Sequence, residues 1–160
     1  MMNAEPSGTK RGTTLLYPHE SYLIRGAYFA IYQKFRNTQK ESVYQNALLE
    51  ELKHKGLKIE REKQLPIYHL GVKVGVYTPD LLINGAIIIE LKAKPFLHQE
   101  DVRQFWYYLK NSQFKLGFLV NFGEPNGVKI VRRVYDTARQ RSSASSSAAR
   151  QTCQPRLTAA

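Results

Sequence analysis

Apolar residues recur along this chain at two different spacings, and the change of spacing separates helices from strands. Steps of three and four residues predict one helix over 20–35 and a second over 40–55, which Gly56 ends. Alternating or continuous apolar runs predict strands at 58–64, 67–70, 73–83, 87–92, 116–122 and 128–135, with a third helix from about Leu97. This order predicts an α/β (α+β) domain in which helices flank a central mixed β-sheet.

The third predicted helix connects two strands that we expect to be neighbours. A right-handed crossover through this helix would make the strands at 87–92 and 116–122 parallel. The periodic pattern covers 16–136, which we interpret as one domain. The flanking segments 1–15 and 137–160 show no apolar periodicity, and we expect both to be disordered. The second is a basic tail rich in Ser, Ala and Arg, which either assists nucleic-acid contact or is solvated without function.

Charged residues interrupt the most apolar part of the pattern, at 79–92. Asn84-Gly85 predicts a hairpin that brings Asp80 back towards Glu90, while Glu90 and Lys92 share one strand face. A two-residue turn would place the two acids on opposite faces. We therefore expect a three-residue turn over 83–85, with Gly85 at positive φ and Asp80 diagonal to Glu90.

Two carboxylates in one pocket favour a bound cation, because each raises the pKa of the other. Magnesium, or alternatively manganese, suits a site with oxygen ligands, few acids and no His or Cys cluster. Lys92 could hold or deprotonate a metal-bound water and offset phosphate charge. The structural alternative is that Glu90 and Lys92 belong to an exposed strand face.

Two further pairs of residues lie at helical spacing. Glu41 and Tyr44 lie on the apolar stripe of the second helix, where the acid would either meet a partner such as Lys92 or offset the helix dipole. Gln104 and Tyr108 share one face of the third helix. They could bind a phosphate or a substrate backbone, or pack between helix and sheet.

With these residues in place, the chain resembles the PD-(D/E)XK nuclease superfamily and, within it, the small bacterial proteins of the GxxExxY family. The resemblance runs from about 16 to 135. Pro79-Asp80 and Glu90-Leu91-Lys92 match the motif that names the superfamily, and 41–44 is similar to E-x-x-Y. Residues 104–108 are similar to the Q-x-x-x-Y of RecB-type nucleases.

One part of the family pattern is missing. Arg36 and Thr38 stand where family members carry glycines, before the helix that contains Glu41. Glycine would allow backbone angles there that Arg and Thr resist.

The resemblance implies a restriction-endonuclease-like core and a Mg²⁺-dependent nuclease, with DNA favoured over RNA as its substrate. The implied metal ligands are Asp80, Glu90 and the backbone carbonyl of Leu91. The implied catalytic residues are Lys92, Glu90, Asp80 and Glu41. Tyr44, Gln104 and Tyr108 are expected to support them. A rival interpretation is a non-catalytic nucleic-acid-binding or regulatory module that retains the fold.

Charge and cysteine content agree with an intracellular protein that binds a polyanion. The formal net charge of the 160 residues is +11, of which residues 20–135 contribute +7 with 18 basic and 11 acidic side chains. The single cysteine, Cys153, fits a reducing cytoplasm. The sequence shows no apolar run of membrane-spanning length and no signal peptide, so we expect no membrane association.

Overall fold

The computed structural model describes residues 15–137, which form three helices and seven strands. Helix α1 spans Pro18–Phe35, α2 spans Glu41–His54 and α3 spans Gln99–Lys110. Proline at the start of α1 has a fixed φ that suits the first helical turn. Gly56, at a φ of 79°, follows the end of α2 as the sequence predicts.

The strands form one five-stranded sheet and a separate two-stranded hairpin. Their bounds are β1 Ile59–Arg61, β2 Leu65–His69, β3 Val72–Tyr77, β4 Leu81–Ile83, β5 Ile87–Lys92, β6 Leu116–Asn121 and β7 Lys129–Val134. The large sheet has the order β1-β4-β5-β6-β7, in which only β5 and β6 are parallel. The parallel pairing across α3 and the mixed sheet were both predicted, and both predictions are confirmed.

The large sheet is the middle of three layers, because both of its faces are covered. Helices α1 and α2 pack on one face, where Tyr28, Tyr44 and Leu48 are fully buried against apolar side chains of the central strands. Helix α3 and the β2–β3 hairpin cover the other face, with Phe105 and Leu109 at its centre. The central strands are therefore apolar on both sides, and polar side chains can gather only at their ends.

The sequence-based prediction of a single strand over 73–83 is wrong. The segment divides into β3 and β4, which belong to different sheets, and residues 78–80 connect them. Pro79 lies in this connection, and proline cannot donate a backbone hydrogen bond to a sheet. The break matters for the site, because Asp80 lies just before β4 rather than within a strand.

The connection between α1 and α2 contains a strained residue. Arg36 has a φ of 51° and a ψ of −145°, a backbone conformation that residues other than glycine rarely adopt. Position 36, where family members carry a glycine, thus adopts the kind of backbone angles that glycine favours. Thr38 does not have a positive φ, and its hydroxyl instead donates a hydrogen bond to the carbonyl of Phe35 at 2.7 Å.

The terminal segments predicted to be disordered lie outside the described residues, apart from Leu15 and Thr137. No helix within 15–137 has both the length and the hydropathy needed to cross a bilayer.

Candidate active site

The turn between β4 and β5 decides where the two acids lie. It has three residues, as predicted, but these are 84–86 rather than 83–85, since Ile83 pairs with Ile87. Asn84 and Gly85 both have positive φ, at 51° and 63°. The pairs Leu82–Ile88 and Leu81–Ile89 follow in register. Continuing the same register places Asp80 directly across from Glu90, rather than diagonal to it as predicted.

Asp80 is anchored by the backbone of the neighbouring strand. Its Oδ2 accepts a hydrogen bond of 2.6 Å from the Leu91 amide of β5, just before β4 begins at Leu81. The carbonyl of Lys92 accepts from Phe122 on the β6 side. Because successive carbonyls of a strand point to opposite edges, the Leu91 carbonyl is directed to the Asp80 side.

Glu90 accepts hydrogen bonds from two directions. The Tyr77 hydroxyl donates to Oε2 at 2.9 Å, and the Lys92 amine lies 3.5 Å from Oε1. The side chains of Glu90 and Lys92 are 20% and 23% exposed, so neither belongs to a solvated strand face. The structure therefore contradicts the alternative interpretation of these residues as an exposed surface.

The electrostatics of the site are those of carboxylates removed from water. Burial raises the pKa of Glu90 to about 7, and the negative charge of Asp80 adds to the effect. Burial also raises the pKa of Asp80, although the Leu91 amide opposes the shift. The surrounding protein therefore does not fully stabilise the ionised form of either acid.

Lys92 stays positively charged because of its acidic neighbours. Burial alone would lower its pKa, but the charges of Glu90, Glu41 and Asp80 outweigh burial and raise it. A lysine with a raised pKa keeps its proton at neutral pH. Of the two roles considered from the sequence, this raised pKa favours holding a water or a phosphate over deprotonating a water.

Glu41 approaches the same group from helix α2. Desolvation raises its pKa, while Lys92 lowers it and Asp80 raises it. The amide of Ala93 also stabilises the Glu41 carboxylate. Glu41 is thus electrostatically coupled to both Lys92 and Asp80, and it is the most exposed of the candidate acids.

Gln45 was not identified from the sequence, although it lies four residues after Glu41 and on the same helix face. Its side-chain amide donates to Asp80 Oδ1 at 3.5 Å. Helical spacing from Glu41 was the signal that could have identified it.

Tyr44 does not reach the carboxylates. It is fully buried and stacks on Phe122, with ring centroids 4.6 Å apart. Its hydroxyl donates to the carbonyl of Arg36 at 2.5 Å and accepts from the amide of Gln39 at 3.1 Å. Tyr44 therefore fixes the turn before α2, and through it the position of Glu41.

Gln104 and Tyr108 connect to the site through a residue that the sequence did not reveal. Gln104 donates to the Tyr108 hydroxyl at 3.3 Å, and the Tyr108 ring stacks on Tyr77 at 4.0 Å between centroids. Tyr77 in turn holds Glu90. No sequence pattern pointed to Tyr77, because strand break and stacking depend on the tertiary structure.

The sequence also matches a known protein family. The family model described as the PD-(D/E)XK nuclease superfamily matches residues 18–134, well over half of the chain. The chain belongs to the PD-(D/E)XK nuclease superfamily. Its mixed sheet with helices on both faces is consistent with the core of these nucleases. Membership implies nucleic acid as the class of substrate and phosphodiester hydrolysis as the class of reaction.

Two other comparisons add little. The crystal structure of SSO0001 is similar to this chain at 20% sequence identity and a TM-score of 0.37. The alignment covers 82% of this chain and 74% of that protein. A search of curated proteins finds no match.

Nucleases of this superfamily generally use divalent metal ions, and the donor atoms of this site fit one. Asp80, Glu90 and the Leu91 carbonyl supply oxygen donors. The raised pKa values of the two acids show that the protein itself does not fully stabilise their ionised forms, which a bound cation would do. Within 15–137, no three His, Cys, Asp or Glu side chains are grouped closely enough to enclose a metal by themselves. An ion that keeps several waters and substrate oxygens as ligands matches such a site.

The segment after Lys92 is held by a buried asparagine that the sequence analysis did not single out. Asn121 is fully buried, and its side chain accepts from the Lys94 amide at 2.9 Å and donates to the Lys94 carbonyl at 3.0 Å. Gly123 approaches the same backbone so closely that an added Cβ would clash with the Lys94 carbonyl oxygen. This contact fixes the chain as it leaves the site.

Proposed function

We propose that this protein is a Mg²⁺-dependent nuclease of the GxxExxY group that hydrolyses phosphodiester bonds in DNA. The observation that carries the proposal is the pair of desolvated acids, Asp80 and Glu90, which lie opposite each other in the strand register beside a protonated Lys92. Desolvated acids cost folding free energy, and groups with such perturbed pKa values tend to occur at functional sites. Family membership supports a nuclease function for this site.

Asp80, Glu90 and the Leu91 carbonyl would hold the ion, with Mn²⁺ as a possible substitute for Mg²⁺. When bound, a divalent ion of this kind polarises phosphoryl oxygens and lowers the pKa of a coordinated water. The protein fixes its own donors in advance, since the Leu91 amide holds Asp80 and the Tyr77 hydroxyl holds Glu90.

Lys92 would orient the attacking water and offset the charge that develops on the phosphate. Its ammonium group lies 3.5 Å from Glu90, which limits its freedom and keeps it on the same side of the strand as that carboxylate. Because the neighbouring acids keep Lys92 protonated, its contribution is positive charge and hydrogen-bond donation.

Glu41 would hold a water of the metal shell or a second ion. Its coupling to Lys92 and Asp80 supports this role over one limited to the helix dipole. Tyr44, Gln104 and Tyr108 would be positioning residues, because their contacts run to the α1–α2 turn and to Tyr77 rather than to the carboxylates.

The net charge of +7 over 20–135 favours a polyanionic substrate but does not distinguish DNA from RNA. The choice of DNA rests on the family resemblance. The single cysteine fits action in a reducing cytoplasm.

A cleavage assay tests the proposal directly. Purified protein is incubated with single-stranded DNA, duplex DNA or RNA, each with Mg²⁺, Mn²⁺ or a chelator. We expect cleavage of DNA that requires the metal. Binding of nucleic acid without cleavage under every condition would contradict the proposal and support a non-catalytic binding module instead.

A further inference from the structure

A cavity of about 380 Å³ lies between the β2–β3 hairpin and the C-terminal part of α3. Its walls include Leu65, Ile67, Tyr68, Tyr77, Tyr107 and Tyr108, and we call it the tyrosine pocket. Its volume and its largely apolar, aromatic lining are those of sites for small planar ligands. The catalytic chemistry described above does not use this cavity.

Two of its four tyrosines have no aromatic partner. Tyr77 and Tyr108 stack on each other, whereas Tyr68 and Tyr107 make no ring contact with any other described residue. Their exposures are 62% and 53%. Tyr68 extends from the hairpin and Tyr107 from α3, so two free ring surfaces line the same cavity from different elements. Free aromatic surfaces of this kind are suited to stacking with a flat ligand.

The charge around the pocket favours a ligand that carries phosphate. None of the residues that line it is an Asp or a Glu. Lys73 is the register partner of Tyr68 in the hairpin, and Lys110 precedes Asn111 of the lining. Both lysines are exposed and belong to none of the ion pairs among residues 15–137. A nucleobase with its attached backbone combines the flat ring and the negative charge that this surface would accept.

Tyr77 joins the pocket to the proposed active site. Its ring forms part of the pocket, while its hydroxyl donates to Glu90 at 2.9 Å. A base in the pocket would therefore belong to a nucleotide close to the phosphate at the carboxylates. A base inside a duplex is paired and stacked, and cannot enter such a cavity without leaving the helix.

We propose that the tyrosine pocket binds an unpaired nucleobase of the substrate between Tyr68 and Tyr107, which gives the protein a preference for single-stranded nucleic acid. The proposal rests on the proposed nuclease function and specifies the form of its substrate. Neither tyrosine touches the reacting atoms, so both act by binding and positioning the strand.

The test measures binding in the presence of a chelator, where no turnover is expected. The probe is a single-stranded oligodeoxynucleotide with one 2-aminopurine, whose fluorescence falls when the base stacks on a ring. The variants Tyr68→Ala and Tyr107→Ala are compared with the wild type and with Tyr22→Ala, a tyrosine on α1 that is 77% exposed. Tyr68→Phe and Tyr107→Phe keep the ring and remove only the hydroxyl. Circular dichroism verifies that each variant is folded.

We expect each pocket alanine variant to lose about tenfold in affinity together with the fluorescence quenching, as for the loss of one stacked base. Tyr22→Ala and both Phe variants should behave like the wild type. We also expect weaker binding of the matched duplex. Wild-type affinity in both alanine variants, or an equal loss in Tyr22→Ala, would overturn the proposal. A dimer that Tyr68→Ala disrupts would identify a second copy as the occupant and would also overturn it.

Cleavage assays with Mg²⁺ separate this proposal from the nuclease function. Normal binding by the pocket without any cleavage would contradict only the nuclease function. Normal cleavage by both alanine variants, with unchanged KM on single-stranded DNA, would contradict only the pocket. If both proposals hold, the alanine variants should raise KM more than they lower kcat.

Discussion

Glu90 combines a buried position with two partners of different chemistry. Tyr77 and Lys92 both lower its pKa, yet burial and the charge of Asp80 keep it raised to about 7. The ionised side chain therefore lowers the free energy of unfolding. A bound cation would reverse this effect, which links metal binding to the protonation of one residue.

This environment predicts how stability depends on pH. Between the ordinary glutamate pKa of 4.5 and about 7, the folded protein binds more protons at Glu90 than the unfolded chain does. The contribution of Glu90 to the free energy of unfolding is therefore fully present below about 4.5 and is lost as pH rises through about 7.

The variant Glu90→Gln removes this titration. In a chelator, its free energy of unfolding relative to the wild type should increase from pH 5 to pH 8, by at most about 3 kcal/mol. Urea denaturation of both proteins at each pH measures the difference. A difference that stays constant with pH would contradict the raised pKa of Glu90.

Lys92 is one of many cations, so its loss should separate binding from catalysis. Lys92→Ala should remove most of the turnover, because the ammonium lies beside Glu90, while affinity for DNA falls modestly with a similar salt dependence. Cleavage rates at saturating substrate and binding at several salt concentrations measure the two effects. Equal fractional losses in turnover and affinity would indicate a binding residue only.

At the scale of secondary-structure elements, β5 and its neighbours show what a sequence can predict. The β5 bounds, its parallel pairing with β6 and the odd-length turn were predicted, because buried apolar runs, a crossover helix and Asn-Gly are local signals. The separation of β3 from β4 was missed, since apolar residues continue through both strands. Pro79 was the sequence signal for the break, because proline cannot donate a hydrogen bond within a sheet, and the separate sheet partners of β3 and β4 show it.

Within the candidate site, contacts along one hairpin were predictable from the sequence, and contacts between layers were not. Asp80, Glu90 and Lys92 lie together because strand parity and the turn bring them together. Tyr77 and Gln45 arrive from a different sheet and a different layer. Contacts of that kind depend on how the layers pack, and no periodicity within one segment encodes them.

The α1–α2 turn gives a prediction at the element scale. Arg36→Gly should raise the free energy of unfolding by about 1 kcal/mol, since it relieves backbone strain of roughly 1–3 kcal/mol and costs some chain entropy. The hydrogen bonds of Arg36 with Tyr32 and Tyr44 use backbone atoms and remain.

Thr38→Gly is the matched control for Arg36→Gly. It should destabilise the protein, because Thr38 has no positive φ and its hydroxyl bonds to Phe35. Denaturant unfolding measures the free energy of unfolding of both variants relative to the wild type. Destabilisation by both would show that the turn does not need glycine at either position.

For the whole molecule, positive charge is divided between the domain and the C-terminal segment. A chain ending at Asp136 lacks Arg139, Arg141, Arg150 and Arg156. It should bind DNA more weakly at low salt and cleave short substrates normally at saturation, because none of the proposed ligands is removed. Loss of cleavage by a truncated protein that is folded would place an essential residue beyond Asp136.

The central claim is that Glu90 and its neighbours form the catalytic centre of a metal-dependent nuclease. The most direct test compares cleavage of DNA, with Mg²⁺ and with a chelator, by the wild type, Glu90→Gln and Glu50→Gln. Glu50 is a suitable control because it is an acid on the exposed face of α2, with 72% of its side chain accessible. We predict metal-dependent cleavage by the wild type and Glu50→Gln, and none by Glu90→Gln. Equal cleavage by all three proteins would contradict the assignment and place the activity elsewhere.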